Sequence, residues 1–298
     1  MLLILKVTSV VFFQTIFQNI FADGENVTRR FGAKIVGGRV CKVTEYPFVV
    51  SVLSNKLCGG TLITFLWVLT AGHCIVFDRI GNDGTQIRSG FDSPPRYIQI
   101  RYARQGVVYE KFNIAAMTSR PPDIRYDIGL ILVDRPFIRS VTLNTVALPT
   151  PGFTQTCTVG KVLGIGNETI NYGRTVEDHP LKCVDLRIVD SATCAKTFSF
   201  STVDDTLVCT QESREGKDAC YGDSGGPLLC RNNTIIGIIS FGRGCALANV
   251  SATHTRVESF LDFINETLNE DYDSNGVQRN SWKCLLYAII FSSFLIKI

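Results

Sequence analysis

An excess of charge is the first thing this chain lacks. Its 30 Lys and Arg against 27 Asp and Glu leave a formal net charge of +3, and no basic run is long enough to follow a nucleic-acid backbone. Internal repeats and low-complexity tracts are missing too, which excludes solenoid and array architectures. So is a clean membrane span. Leu2 to Phe21 is mostly apolar but broken by Lys6, Gln14, Gln18 and Asn19, and the closing apolar stretch, Cys284 to Ile298, has 15 residues, where a helical span needs about 20. Histidine is scarce as well: there are 3, at positions 73, 179 and 254.

What is present narrows the class. A length of 298 residues allows one large domain or two smaller ones. The 11 cysteines are many for a reducing compartment and point to an oxidising one. Leu2 to Phe21, ending at Ile20-Phe21-Ala22 before Asp23-Gly24, reads as a secretory signal peptide over 1–22, with a membrane anchor as the weaker reading. Sequons at Asn26, Asn167, Asn232, Asn249 and Asn265 are candidate glycosylation sites of such a secreted chain. Short β-rich runs dominate: Phe48 to Leu53, Thr61 to Leu69, Ile128 to Val133 and Thr234 to Phe241. They predict an all-β sandwich or barrel, and periodicity does not choose between the two. Val257, Phe260, Leu261, Ile264 and Leu268 recur at helical spacing, which predicts an amphipathic helix over Glu258 to Leu268.

Three short strings carry chemistry. Gly222-Asp223-Ser224-Gly225-Gly226-Pro227 offers a hydroxyl in a glycine-rich turn, Thr70-Ala71-Gly72-His73-Cys74 an imidazole, and Tyr126-Asp127-Ile128-Gly129-Leu130 a carboxylate. A hydroxyl is a weak nucleophile at neutral pH unless an imidazole takes its proton and a carboxylate orients that imidazole. Singly, each residue has a bland reading: a satisfied histidine, a turn aspartate, a turn serine. Together, in the order His, Asp, Ser, they resemble the chymotrypsin/trypsin family of serine proteases, over about Ile35 to Leu268. The Ser-His-Asp triad takes its best-known form in that family.

That resemblance implies two antiparallel β-barrels, a catalytic cleft between them and a closing helix. It implies His73 as general base and then acid, Asp127 as its orienting partner, Ser224 as nucleophile, and the N–H groups of Gly222 and Ser224 as the oxyanion hole. It pairs Cys41 with Cys183, Cys58 with Cys74, Cys157 with Cys230, Cys194 with Cys209, and Cys220 with Cys245, and leaves Cys284 over. Lys34-Ile35-Val36-Gly37-Gly38 resembles the family's activation site, so that cleavage after Lys34 would free an Ile35 ammonium to insert beside Asp223, with 23–34 as propeptide and 35–270 as protease domain. Asp218 matches the residue at the base of a basic-specific pocket, with Ser240, Gly242, Gly244 and Ala252 lining it.

The departures are as informative. Ala252-Thr253-His254-Thr255 stands where Gly-Val-Tyr-Thr is usual, so the methyl of Ala252 is expected to crowd an Arg or Lys side chain, and His254 to fill a tyrosine's place. Phe241 and Ile165 each replace a Trp, and Gly72 replaces an Ala. His179 reads as an exposed loop residue. The acidic calcium loop of some trypsins is not evident at Gly90-Phe91-Asp92, so no metal or other cofactor is expected. Expected partners are protein or peptide substrates, an activating protease and protein inhibitors. At the far end, Ser274-Asn275-Gly276, a polar spacer and the apolar tail resemble a GPI-attachment signal within 271–298, against a retained membrane helix or a plain extension. The implied location is extracellular, or cell-surface if so anchored. The alternatives are a protease of altered or narrow specificity, on account of Ala252 and His254, and, from another functional class, a protease homologue that binds partners without catalysis.

Overall fold

A computed structural model describes residues 35–78, 80, 84–89, 99–165, 180–198 and 202–269. The expected signal peptide, the propeptide with Lys34, the sequons at Asn26 and Asn167, His179 and the carboxyl-terminal tail lie outside these residues.

Strands β2 (Val49–Leu53), β3 (Leu57–Leu62), β4 (Trp67–Thr70), β5 (Gln86–Ser89), β6 (Gln99–Val108) and β7 (Gly129–Val133) form a closed barrel in the order β2-β3-β4-β7-β6-β5. Every neighbouring pair is antiparallel. The second barrel comprises β8 (Val159–Gly164), β9 (Lys182–Val189), β10 (Leu207–Gln211), β11 (Pro227–Leu229), β12 (Ile235–Gly242) and β13 (Ser251–Arg256). It closes through pairing of β8 with β9, and the short β1 (Arg39–Val40) adds to the outer edge of β9. Closure removes the exposed edges that open sheets must manage, and decides for barrels over a sandwich.

The apolar runs explain the interior. β7, Gly-Leu-Ile-Leu-Val, is buried throughout, and Val49, Val50, Val52, Leu62, Val68, Leu69, Leu130 and Ile131 pack in the same core. The run Thr61 to Leu69 is not one strand. It folds back on itself: Ile63 N–H donates to the Trp67 carbonyl at 3.1 Å, and Thr64 Oγ1 accepts the N–H of Leu66 and of Trp67. Local side-chain capture of backbone donors breaks the strand there. The helices are short: α1 (Gly72–Asp78), α2 (Ile114–Met117) and α3 (Ser191–Thr197). The predicted carboxyl-terminal helix begins with a 3₁₀ turn, Val257–Phe260, and continues as α4 (Leu261–Asn269). Its apolar stripe buries Phe260 and Ile264 and puts Phe260 and Phe263 edge-on against Tyr109 of the first barrel. No helix among the described residues is long and apolar enough to cross a membrane.

All five expected cysteine pairs are bonded: Cys41–Cys183, Cys58–Cys74, Cys157–Cys230, Cys194–Cys209 and Cys220–Cys245. Each contributes about 2–4 kcal/mol, chiefly by restricting the unfolded chain. Asn232, Asn249 and Asn265 are exposed.

Candidate active site

His73 lies in the first turn of α1, directly after β4, and Asp127 directly before β7. Antiparallel pairing of β4 with β7 sets Thr70 against Gly129, which brings the two sites together across 54 residues of chain. Asp127 is fully buried. One of its oxygens, Oδ2, lies 2.7 Å from His73 Nδ1, and the other accepts the His73 backbone N–H at 2.8 Å. The imidazole is thereby fixed in position and plane. In its neutral form the Nδ1 proton faces the carboxylate, and the lone pair is left on Nε2.

The second barrel supplies two further partners that the sequence does not reveal. Ser240 Oγ donates to Asp127 Oδ2 at 2.6 Å, and Thr255 Oγ1 donates to the Asp127 carbonyl at 2.8 Å. Burial works against the charge on Asp127. The charge and hydrogen bonds of His73, together with the Ser240 hydroxyl, outweigh it and hold the carboxyl below its ordinary range. Ser240, expected as a pocket-lining residue, thus also touches the carboxylate. Contacts over more than a hundred residues of sequence leave no local signal.

Ser224 sits in the turn after Cys220. Its carbonyl accepts the Gly59 N–H of β3 at 2.7 Å, so the serine turn is sewn to the strand whose Cys58 is bridged to Cys74, next to His73. Two glycines make this approach feasible. Gly225 has φ +83°, and a Cβ there would overlap Thr70 Oγ1 and Gly59 O; a Cβ on Gly59 would press on the Gly226 backbone at 2.8 Å. Within the turn Asp223, Gly225 and Gly226 donate to Cys220, Ile239 and Asp223. The N–H groups of Gly222 and Ser224, on either side of Asp223, have no acceptor among the described residues.

Asp223 points inward, with no exposure, and accepts the Cys220 N–H at 3.0 Å. Its carboxylate fills the space beside Gly164, where any Cβ would collide with it. Ile35 is likewise buried, at 1% exposure, among Cys157, Val162 and Ala219. Val36 pairs with Asp218 in both directions, N–H to carbonyl at 2.8 and 3.3 Å. Gly37 adopts φ +62° and passes so close to the Gly216 carbonyl that no side chain fits.

Asp218 is mostly enclosed. Its two oxygens accept the N–H groups of Ala219 at 2.8 Å and Ala246 at 3.0 Å. Burial raises its carboxyl to about 6 against those two hydrogen bonds, which act in the opposite direction. β12 and β13 place Gly242 opposite Ala252, and a Cβ on Gly242 would stand 3.9 Å from the Ala252 methyl, so both positions face one side. Gly244 has φ +80°. His254 is buried, with Nε2 at 2.9 Å from Thr210 Oγ1, and burial pushes it down to about 3. It is a neutral buried residue whose hydrogen-bond partner is Thr210. Cys58, His73 and Cys74 also cluster, but the two sulfurs are bonded to each other and offer no thiolate to a metal.

Comparison with known proteins agrees with this geometry. The family model Trypsin matches residues 35–264. Trypsin-3 of Homo sapiens is 31% identical over 241 residues, covering 79% of this chain and 73% of that protein. Trypsin 5G1 of Aedes aegypti is 34% identical over 247 residues, covering 80% and 86%, and the Anionic trypsin of Canis lupus familiaris is 32% identical over 248 residues, covering 79% and 90%. A closed pair of six-stranded barrels, a buried His–Asp pair where they meet and a match over the whole of both barrels have one reading: the chain belongs to the trypsin family of serine endopeptidases.

Proposed function

We propose that this endopeptidase is made as a zymogen, is activated by cleavage after Lys34, and cleaves polypeptides on the carboxyl side of Arg and Lys. The observation that carries the specificity is Asp218, a largely enclosed carboxylate whose two acceptor bonds come from neutral N–H groups. An enclosed carboxylate lacking a cation is costly, and a substrate guanidinium or ammonium relieves that cost. Trypsins among the relatives support the same reading.

In the proposed cycle Nε2 of His73 takes the Ser224 Oγ proton as Oγ bonds to the scissile carbonyl carbon. The resulting oxyanion lies against the N–H groups of Gly222 and Ser224. As the carbon–nitrogen bond breaks, His73 gives its proton to the departing amine, and water repeats the sequence on the acyl-enzyme to release the acid and free Ser224. Asp127, held by Ser240, keeps the imidazole in the useful tautomer and stabilises the imidazolium.

For activation, the buried Asp223 and the docked segment from Ile35 to Gly38 support insertion of a new Ile35 ammonium. A signal peptide over 1–22, a propeptide over 23–34, glycans at the sequons and a carboxyl-terminal membrane tether complete the proposal, and the five disulfides fit an extracellular location.

A positional-scanning peptide library on the Lys34-cleaved protein tests the specificity. Cleavage is expected after Arg or Lys, and KM for these substrates should rise as pH falls through about 6, where Asp218 takes up a proton in the free enzyme. A library cleaved mainly after apolar residues would overturn it.

A further inference from the structure

Large apolar side chains left in water mark contact surfaces where they cluster. Among the described residues the two most exposed of them are Val141, at 80%, and Ile138, at 71%. They stand three residues apart in the loop that leaves β7, with Arg139 exposed between them. Leu66 and Tyr102, also exposed, belong to segments bonded to the start of this loop. The Val133 N–H donates to the Leu66 carbonyl at 3.0 Å, and the Asp134 N–H to the Tyr102 carbonyl at 2.8 Å.

The loop is held firmly. Phe137 anchors it in the core of the first barrel, with the Arg101 guanidinium over its ring at 4.9 Å. One side chain takes both backbone groups of Ile138: its N–H donates to Gln99 Oε1 at 2.9 Å, and its carbonyl accepts Gln99 Nε2 at 2.6 Å. Ser140 and Leu143 exchange N–H to carbonyl bonds at 2.9 and 3.3 Å, and the Thr142 N–H donates to Ser140 Oγ at 3.2 Å. Backbone groups satisfied within the protein need no water, so the loop meets a low-dielectric interface without leaving them unpaired.

The charge around the two aliphatic tips has one sign. Arg101, Arg135 and Arg139 stand against a single acid in these segments, Asp134, which Arg135 pairs at 2.8 Å. Burial, and next the charge of Arg135, lower the pKa of Arg101, while Asp134 raises it. Arg139 has no acidic partner among the described residues. Side chains as exposed as Ile138 and Val141 project rather than line a groove, so the shape suits a flat partner and not an inserted peptide. Apolar tips that enter a headgroup layer, beside arginines whose heads stay at phosphate level, suit an anionic lipid surface.

We propose that the loop from Arg135 to Val141 docks on an anionic phospholipid bilayer, with Ile138 and Val141 seated among the headgroups and Arg139 on lipid phosphates.

Cosedimentation of the full protein with vesicles tests this, using phosphatidylcholine alone or in an equimolar mixture with phosphatidylserine. Partitioning should favour the mixed vesicles and weaken as ionic strength rises. On mixed vesicles Val141→Ser should lower it by about tenfold, Val141→Leu should retain it, and Arg139→Gln should lower it by about fivefold. Thermal unfolding at the wild-type temperature checks that each variant is folded. Equal partitioning of the wild type onto both vesicles would overturn the proposal. So would Val141→Ser and Arg139→Gln variants that bind as the wild type does, the result expected if the carboxyl-terminal tail alone held the lipid. A loss in Arg139→Gln with none in Val141→Ser would overturn it in favour of a partner recognised by charge alone, such as a soluble polyanion. Partitioning is read without substrate, so its outcome is separate from the proteolytic reading.

Discussion

Asp127 bears the most constraint of any single residue. It is buried, sits after Tyr126 with its backbone at φ +64°, and carries bonds from His73, Ser240 and Thr255. Residues with this many partners cannot be exchanged singly without leaving one unpaired. Ala252 lies at the other extreme, where a single methyl is the whole effect. It faces the same side as Gly242 and, on the proposed specificity, would crowd an Arg or Lys side chain. Overpacking of this kind costs about 1–3 kcal/mol, or about tenfold to a hundredfold in rate if it falls wholly on the transition state. Ala252→Gly is therefore expected to raise kcat/KM on Arg and Lys substrates; steady-state kinetics giving an unchanged or lower value would refute the steric account. His254 stays a neutral buried group, since burial pushes its pKa down to about 3.

Among elements, the turn from Cys220 to Pro227 governs the rest. Its inward Asp223 and Ser224 are adjacent, so on the proposed activation the pairing of one carboxylate would set where the N–H donors of Gly222 and Ser224 point. Removing one partner of a buried ion pair costs about 3–5 kcal/mol, and Asp223→Asn would leave the inserted Ile35 ammonium uncompensated. Asp223→Asn should accordingly remain at least about a hundredfold less active after verified cleavage at Lys34, measured on a small chromogenic ester. Full activity would remove Asp223 from the activation account. Local patterns make this turn legible from the six residues Gly222 to Pro227, and also the carboxyl-terminal helix from its apolar spacing. They do not reveal the reversal at Ile63 to Trp67, because apolar residues flank both sides of a turn whose capture by Thr64 is a matter of side-chain hydrogen bonds. Nor does the 3₁₀ start of that helix show in its periodicity.

At the scale of the molecule, two closed barrels hold one site between them. His73 and Asp127 come from the first; Ser224, Ser240 and Asp218 come from the second. The barrels meet backbone to backbone, at Gly59, Gly225 and Gly226, which explains why glycines rather than larger residues crowd the serine string. Much of this is legible in sequence because the chemistry sits in three contiguous strings and the family resemblance supplies their register. The bonds from Ser240 and Thr255 to Asp127 are not, since each joins segments that only the packing of one barrel against the other brings together. The account's central claim is that this assembly activates Ser224. Treating the Lys34-cleaved protein with a fluorophosphonate probe and mapping the adduct by mass spectrometry tests it most directly. Labelling at Ser224, lost in His73→Ala, is the predicted result; a correctly cleaved and folded protein that takes up no probe would contradict it and favour a homologue that binds without catalysis.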